Sequence, residues 1–315
     1  MYQTENRGTK EPGDHDMNTV KQYASLDAAI RELSGGERHI VSRQAVSGGD
    51  INAAHKLTLD DGSCLFMKSN RTDALTGFQA EARGLTYISR TGCIRVPELL
   101  GIGTDPDGYA FLLLEYADSR RCKRIHGYWT VFAGELANMH MHAARANEPP
   151  RFGFPEDNYI GHTKQINTWH ESWISFFREC RLGPQFQMAS ACFDRSDHRH
   201  ITHLMDHLDE YLTEPSAPSL IHGDLWGGNV MTGSDGKAWL IDPAAYYGHP
   251  EADLAMTELF GGFPTEFYHA YCECMDLVPG YPDRRDLYNL YHLLNHLNMF
   301  GSSYLHAVRR ILERY

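Results

Sequence analysis

The feature that most constrains this chain is an eight-residue segment, His222-Gly223-Asp224-Leu225-Trp226-Gly227-Gly228-Asn229, followed thirteen residues after Asn229 by the Asp of Trp239-Leu240-Ile241-Asp242-Pro243. An apolar pair, Leu220-Ile221, leads into the first segment, and Trp239-Leu240-Ile241 leads into the second. The pattern predicts two short strands, at Ser219 to His222 and Ala238 to Asp242, each ending in polar residues. Gly227 and Gly228 let the first loop take backbone angles that other residues resist. An Asp after a strand is commonly just a turn residue, and a lone His in a loop is commonly just hydrogen-bonded. Four such residues at this spacing, in a strand–loop–strand setting, ask for a chemical reason.

The rest of the chain divides around them. Residues 1–17 are polar and read as a flexible tail. Val20, Tyr23, Leu26, Ile30 and Leu33 recur at helical spacing and predict an amphipathic helix over 18–34, closed by Ser34-Gly35-Gly36. Strand patterns follow at 39–46, 53–59 and 63–68, the last two joined by the tight-turn pair Asp61-Gly62. A helix is predicted over 74–90, with Phe78, Ala82, Leu85 and Ile88 on one side. Two more strands are predicted near 96–103 and 109–116, joined by Asp105-Pro106-Asp107-Gly108. Beyond a polar stretch at 117–125 the pattern turns helical: Phe132, Leu136, Met139 and His140 mark one helix. Trp169, Trp173, Phe176 and Phe177 mark another, and Leu287, Leu290, Leu294 and Leu297 a third. The expected architecture is α+β and bilobal. A lobe over 18–117 holds a five-stranded antiparallel sheet and a helix, and a larger, mostly helical lobe covers 118–315.

His222, Asp224 and Asn229 fit the pattern H-x-D-L-x-x-x-N of kinase catalytic loops, with Asp and Asn five apart. Phosphoryl transfer needs a carboxylate to orient the acceptor hydroxyl and take its proton, together with oxygen ligands for Mg2+. Asp224 suits the first task; Asn229 and Asp242 suit the second. In protein kinases the position of Asp242 opens Asp-Phe-Gly; here Pro243 follows. The first lobe should then grip the phosphates of ATP. Lys68, near the end of the third strand, is placed to reach them, and Glu81 in the next helix to pair with it. By itself Lys68 would be an ordinary strand-end lysine. Ser47-Gly48-Gly49-Asp50 lies between the first two strands. Gly48 and Gly49 offer backbone N–H groups to phosphate, although most Gly-Gly pairs are only turns. Glu115 to Ala117 end the fifth strand, where backbone groups could hold adenine. Trp226 next to the base could stack on an acceptor or simply pack. Tyr246, Tyr247 and His249 could shape the same pocket.

Composition narrows the partners. The chain has 315 residues and a formal charge of −12, which disfavours general binding to nucleic-acid phosphates. Hydrophobic residues at 42% allow a sizeable core, yet no apolar run approaches a membrane span. The N-terminus has no signal-peptide pattern, so a cytoplasmic location is expected. Seven cysteines in no zinc-type frame read as buried or half-buried thiols of a reducing compartment. His203 and His207, four apart, could share a metal, but no Glu completes H-E-x-x-H, and a solvated helix face is the commoner case.

Taken with its continuation, the chain resembles the fructosamine kinases. Their usual catalytic loop reads HGDLWSGN, and Gly227 stands here where Ser is common. The run from Asp242 through Tyr246-Tyr247-Gly248-His249-Pro250 to Asp253, and on to Leu259-Phe260-Gly261-Gly262-Phe263, is more specific still. Aminoglycoside kinases generally lack it. Further echoes are Leu136-Ala137 with His140, Asn158-Tyr159-Ile160-Gly161 with Gln165, Asn167 and Trp169, and Arg181-Leu182. The resemblance covers about residues 20–312. It implies ATP-dependent phosphorylation of the sugar 3-hydroxyl of ketosamines (ribulosamines, erythrulosamines or fructosamines), giving an unstable adduct that frees the amine. It implies Asp224 as base, Asn229 and Asp242 as Mg2+ ligands, Lys68 and Glu81 as the phosphate-gripping pair, and His222 and Asp253 as supports of the loop. A helix-start acid is the plain alternative for Asp253. Many members have Cys where Asp50 stands, so thiol regulation through that loop is not implied here. An aminoglycoside or choline acceptor, or a silent kinase-fold binding module, are the competing functions. A monomer is expected.

Overall fold

The computed structural model describes residues 20–46, 52–119, 121–145 and 151–315. The tail at 1–17 and the pair Gly48 and Gly49 lie outside them. The first part forms β1 (Lys21–Gln22), α1 (Leu26–Leu33), β2 (Ile40–Ala45), β3 (Ala53–Leu59), β4 (Cys64–Arg71), α2 (Leu75–Arg90), β5 (Leu99–Thr104) and β6 (Tyr109–Glu115). The strands make one sheet in the order β1-β5-β6-β4-β3-β2. All pairs are antiparallel except β1 with β5.

The sheet thus has six strands rather than five, and the first helix is shorter than its periodicity predicts. Ser25 is the reason. Its backbone is extended and its hydroxyl accepts from Ala28 N at 3.1 Å, so α1 starts only at Leu26. The residues before it are free to pair, and Lys21 and Gln22 lie beside Gly103 and Thr104.

Pleating explains which side chains face the site. On β6, Phe111 and Leu113 join Tyr23, Ala29 and Ile30 in an outer core under α1, while Ala110, Leu112 and Leu114 face the main core. This strand is buried on both faces, which is why its sequence is an unbroken apolar run. On β4, Leu65 and Met67 face outward to the same outer core, and Phe66 packs inward. Alternation therefore turns Lys68 inward as well, toward α2. On α2, the buried Phe78, Ala82 and Leu85 define the sheet-facing side, and Glu81 lies among them.

The second part contains α3 (Tyr128–Arg145), β7 (Asn158–Ile160), β8 (Thr163–Gln165) and α4 (Trp173–Phe176). α4 runs through a π-helical turn at Phe177–Leu182 into α5 (Gly183–Met188). There follow α6 (Arg195–Asp206), α7 (Leu208–Tyr211), β9 (Ser219–Ile221), β10 (Val230–Thr232), β11 (Ala238–Leu240), β12 (Tyr246–Gly248), α8 (Pro250–Leu259), α9 (Thr265–Cys274), α10 (Tyr281–Phe300) and α11 (Leu305–Leu312). Three antiparallel strand pairs interrupt the helices: β7 with β8, β9 with β12, and β10 with β11. Trp169 is not on the helix its spacing suggests. Ser172 caps α4 by accepting from Ser175 N, and Trp169 lies upstream beneath the Arg151 guanidinium. The cysteines are all free, but Cys192, Cys272 and Cys274 are exposed rather than buried; the latter two fall on the solvent side of α9. Among the described residues no helix is long and apolar enough to cross a membrane.

Candidate active site

Two strand pairs deliver the loop residues. β9 pairs with β12, with Ile221 opposite Tyr246, and the ladder extends by one bond, Ala244 N to His222 O at 2.9 Å. Beyond that rung the chains diverge: Asp224 lies two residues after His222, and Asp242 two before Ala244. Gly223 is required at the crossing. Its φ is +79°, and a Cβ there would stand 2.2 Å from the Ala244 oxygen.

The loop around Asp224 is fixed from several sides. Asn229 donates its side-chain amide to the Asp224 backbone oxygen at 2.8 Å and to its Oδ2 at 3.0 Å. His222 is buried, and burial lowers its pKa, so the ring is neutral. Its Nε2 donates to the Ile241 oxygen at 2.9 Å, and its Nδ1 accepts from Asp224 N at 3.3 Å. The imidazole thereby joins the two loops. Below it, the buried carboxylate of Asp253 on α8 accepts from His222 N at 2.7 Å and Gly223 N at 2.8 Å. Asp253 also pairs with His140 at 3.2 Å, whose other nitrogen meets the Tyr271 hydroxyl at 2.7 Å. Asp253 is thus bonded to the loop itself, a tighter role than a helix-start acid.

Lys68 crosses from the sheet to meet these loops. Its Nζ lies 2.9 and 3.0 Å from the two Glu81 oxygens and also contacts Asp242 Oδ1. The three groups carry two acids against one ammonium. Burial disfavours the lysine charge, but Glu81 and Asp242 outweigh it and hold the ammonium firmly protonated. Burial would raise Asp242 as well, yet Lys68 prevails and keeps that carboxyl below the usual range. The remaining strain falls on Glu81, the more buried acid, which burial pushes up to about 7. The Asp242 side chain stays 42% exposed. It is the sole non-glycine with a positive φ, +55°, among the described residues.

Asp224 differs. Burial pushes its carboxyl up to about 7, and the amide of Asn229 only partly offsets this. Among the described residues, no group of three or more His, Cys, Asp or Glu side chains could by itself hold a metal ion; His203 and His207 lie with tilted rings, centroids 4.3 Å apart, but have no third partner of this kind.

The other sequence candidates separate. Glu115 closes β6. Its N–H donates to the Glu98 oxygen at 2.8 Å, so that group is already used, and Ala117 follows in the connection beyond the sheet. Trp226 is 38% exposed and meets Phe260 edge-on at 6.1 Å. Phe260 meets His296 at 5.0 Å, and His296 stacks on Tyr304 at 5.1 Å. This aromatic run starts two residues after Asp224. In the sequence Phe260 stands out only as part of the Leu259 to Phe263 run, and no local pattern singles out His296. Tyr246 and His249 are both buried. Tyr246 is buried beneath the Arg181 guanidinium, 3.8 Å from its ring centre. His249 is buried against Trp173 and Tyr288, where burial lowers its pKa to about 3. Its Nδ1 caps α8 by accepting from Glu251 N at 3.1 Å. Tyr247, half-buried, packs on Trp169 and Phe154.

Comparisons with known proteins identify the family. A fructosamine kinase family model matches residues 22–315. A Synechocystis protein designated a probable ketoamine kinase is 38% identical over 95% of this chain and 98% of its own. The chloroplastic protein-ribulosamine 3-kinase of Arabidopsis thaliana is 38% identical over 94% of this chain and 90% of its own. A solved structure from Haemophilus somnus described as a fructosamine-3-kinase superposes with a TM-score of 0.80 at 31% identity, covering 92% of this chain and 96% of that one. An aminoglycoside phosphotransferase solved with ADP and hygromycin B shares the fold at a TM-score of 0.58 and 17% identity, over 92% of this chain and 96% of that one.

Proposed function

The chain belongs to the fructosamine kinase family, and from that premise we propose that it transfers the terminal phosphoryl group of ATP to the sugar 3-hydroxyl of ketosamines. The phosphorylated adduct then decomposes and releases the amine, which is deglycation. Relatives named ketoamine kinase and ribulosamine 3-kinase, each matching nearly the whole chain, support the substrate class. The observation that carries the reading is the meeting of Lys68, Glu81 and Asp242 a short distance from the His222–Asp224–Asn229 loop.

The residues divide the work. Asp224 takes the acceptor proton: its pKa near 7 makes it a better proton acceptor than an ordinary carboxylate while leaving much of it ionised at neutral pH. Asn229 orients that carboxyl through its amide hydrogen bond. Lys68 holds the phosphates, and Glu81 keeps the ammonium in place. A partly exposed carboxylate and an amide oxygen, Asp242 and Asn229, form the sparse hard-oxygen donor set that suits Mg2+, which keeps waters and takes phosphate oxygens besides. Once bound, Mg2+ would neutralise phosphate charge. Gly48 and Gly49 are proposed to approach the phosphates through their backbone, and the Glu115–Ala117 backbone to receive adenine. The lobes are proposed to span 18–117 and 118–315, a cytoplasmic monomer being the working state. Trp226 is proposed to stack on the sugar, with Tyr247 at a greater remove.

Magnesium-dependent ADP release tests this with ribulose-lysine, fructose-lysine, kanamycin and choline as acceptors. Turnover on a ketosamine is expected. Turnover only on kanamycin or choline would discard the substrate, and silence on all four would leave a binding module.

A further inference from the structure

The stretch Asn158-Tyr159-Ile160-Gly161 with Gln165 and Asn167 has no part in the chemistry above, yet its side chains are among the most buried polar groups of the protein. Asn158, Gln165, Asn167, Arg181 and Tyr291 are each 3% exposed or less. They form one network. Gln165 Nε2 donates to the Ala244 oxygen at 3.0 Å and to Asn158 Oδ1 at 2.7 Å, while its Oε1 accepts from the Tyr291 hydroxyl at 2.7 Å. Asn158 Nδ2 donates to the Ala245 oxygen at 2.8 Å. Asn167 donates to Asn158 Oδ1 at 2.8 Å and accepts from Arg181 Nη2 at 2.8 Å. Gln165 uses both amide hydrogens and its oxygen. A buried amide network satisfied in this way is rigid, and any member lost leaves others unpaired.

Its target is the last rung between the two functional loops. Ala244 donates its N–H to His222 and accepts from Gln165, so Gln165 holds from behind the bond that sets Asp224 and Asp242 in register. The same β7–β8 hairpin, together with the segment just before it, reaches α2. The Tyr159 hydroxyl meets Thr76 Oγ1 at 3.1 Å, Glu156 pairs with Arg83, and Phe154 packs on Tyr87 at 4.8 Å, all three partners lying on α2, the helix of Glu81. α2 itself presses on the same segment at Gly84, where a Cβ would stand 2.9 Å from Pro243.

We propose that the β7–β8 hairpin is a positioning strap, with Gln165 and Asn158 as its positioning residues. It holds the segment after Asp242 on one side and α2 on the other, fixing Asp224, Asp242 and Glu81 relative to one another. Its effect on turnover rests on the kinase reading; its effect on order does not.

Gln165→Leu, close in volume but unable to donate, tests both. Against a wild-type control on a ketosamine, kcat should fall by about 10- to 100-fold while KM for nucleotide and ketosamine stays within about threefold. Amide exchange over 219–248 should quicken while β3 and β4 exchange as in the wild type. Tyr291→Phe, which removes one outer bond of the network, should show the same pattern more weakly and serves if the first variant folds poorly. Exchange over 219–248 unchanged in both variants overturns the proposal, as does a kcat loss no larger than the loss of folded protein. A wild type that turns over no ketosamine would instead break the functional reading, and the exchange measurement would still decide the strap.

Discussion

Asp224 and Asp242 are the same side chain at the ends of adjoining loops, and their surroundings drive them apart. Among the described residues the Asp224 carboxyl meets the Asn229 amide, and burial raises it to about 7. Asp242 faces the Lys68 ammonium and is held ionised below the usual carboxylate range. One is poised to accept a proton, the other to remain a permanent anion. Paired titratable groups pushed in opposite directions mark an acid–base assignment, and a cation-binding acid with a neighbouring base is what phosphoryl transfer to a hydroxyl requires.

The sharpest way to break the comparison is Asp224→Asn. It should cost about a thousandfold or more in kcat, within the range for loss of a general base, while ADP binding measured by calorimetry stays near wild type. Substantial residual turnover would remove Asp224 from the role of base. Stability should move oppositely. The folded protein retains this proton where the unfolded chain has released it, so Asp224 costs stability increasingly as pH rises from the ordinary carboxylate range to about 7. Asp224→Asn should therefore melt higher than wild type at alkaline pH, with the gap closing in acid.

Lys68→Met attacks the other arm and should lower kcat/KM by about a hundredfold. It also removes what keeps Asp242 ionised, so the variant's rate should gain an additional acidic dependence absent from wild type. Kinetics that are unchanged would take Lys68 out of the site.

The pH profile sharpens the distinction with a smaller effect. With Asp224 as the proposed base, acting unprotonated, kcat/KM should climb with pH and level off above about 7, with roughly a tenth of the plateau one unit below. A profile flat down to the ordinary carboxylate range would mean that Asp224 is not raised in the working enzyme.

The two arms also differ in how they could be read from sequence. His222, Asp224, Asn229 and Asp242 are legible because their chemistry is written locally, in two short segments with strand signals before them. Lys68 and Glu81 needed one further step, the inward turn of alternate residues on β4 and the sheet-facing side of α2. The burial of Tyr246 and His249 is not legible in the same way, because the direction of a side chain after the Asp242 loop depends on the pairing of β12 with β9, a contact between distant segments. The same holds for Gln165 and Asn158: an amide beside a short hairpin signals nothing until the Ala244 and Ala245 carbonyls are placed against it. β1 is two residues long, too short for any periodicity to show.

Two residues after Asp224 begins the aromatic run from Trp226 through Phe260 to His296. Trp226 and Phe260 are each 38% exposed, two adjoining rings with a face open to solvent. A sugar placing a hydroxyl at Asp224 comes within reach of Trp226, two residues along. Stacking acts on the bound substrate and the transition state alike, since the ring takes no proton and holds no charge. Trp226→Ala should therefore raise KM for the ketosamine by about 3- to 10-fold, the worth of one aromatic contact, and leave kcat within about twofold. Nucleotide KM should not move, which separates Trp226 from Lys68. A fall in kcat without a change in KM would instead make the ring a prop of the Asp224 loop, packed across Gly228, and would move Trp226 from the acceptor to the base side of the comparison.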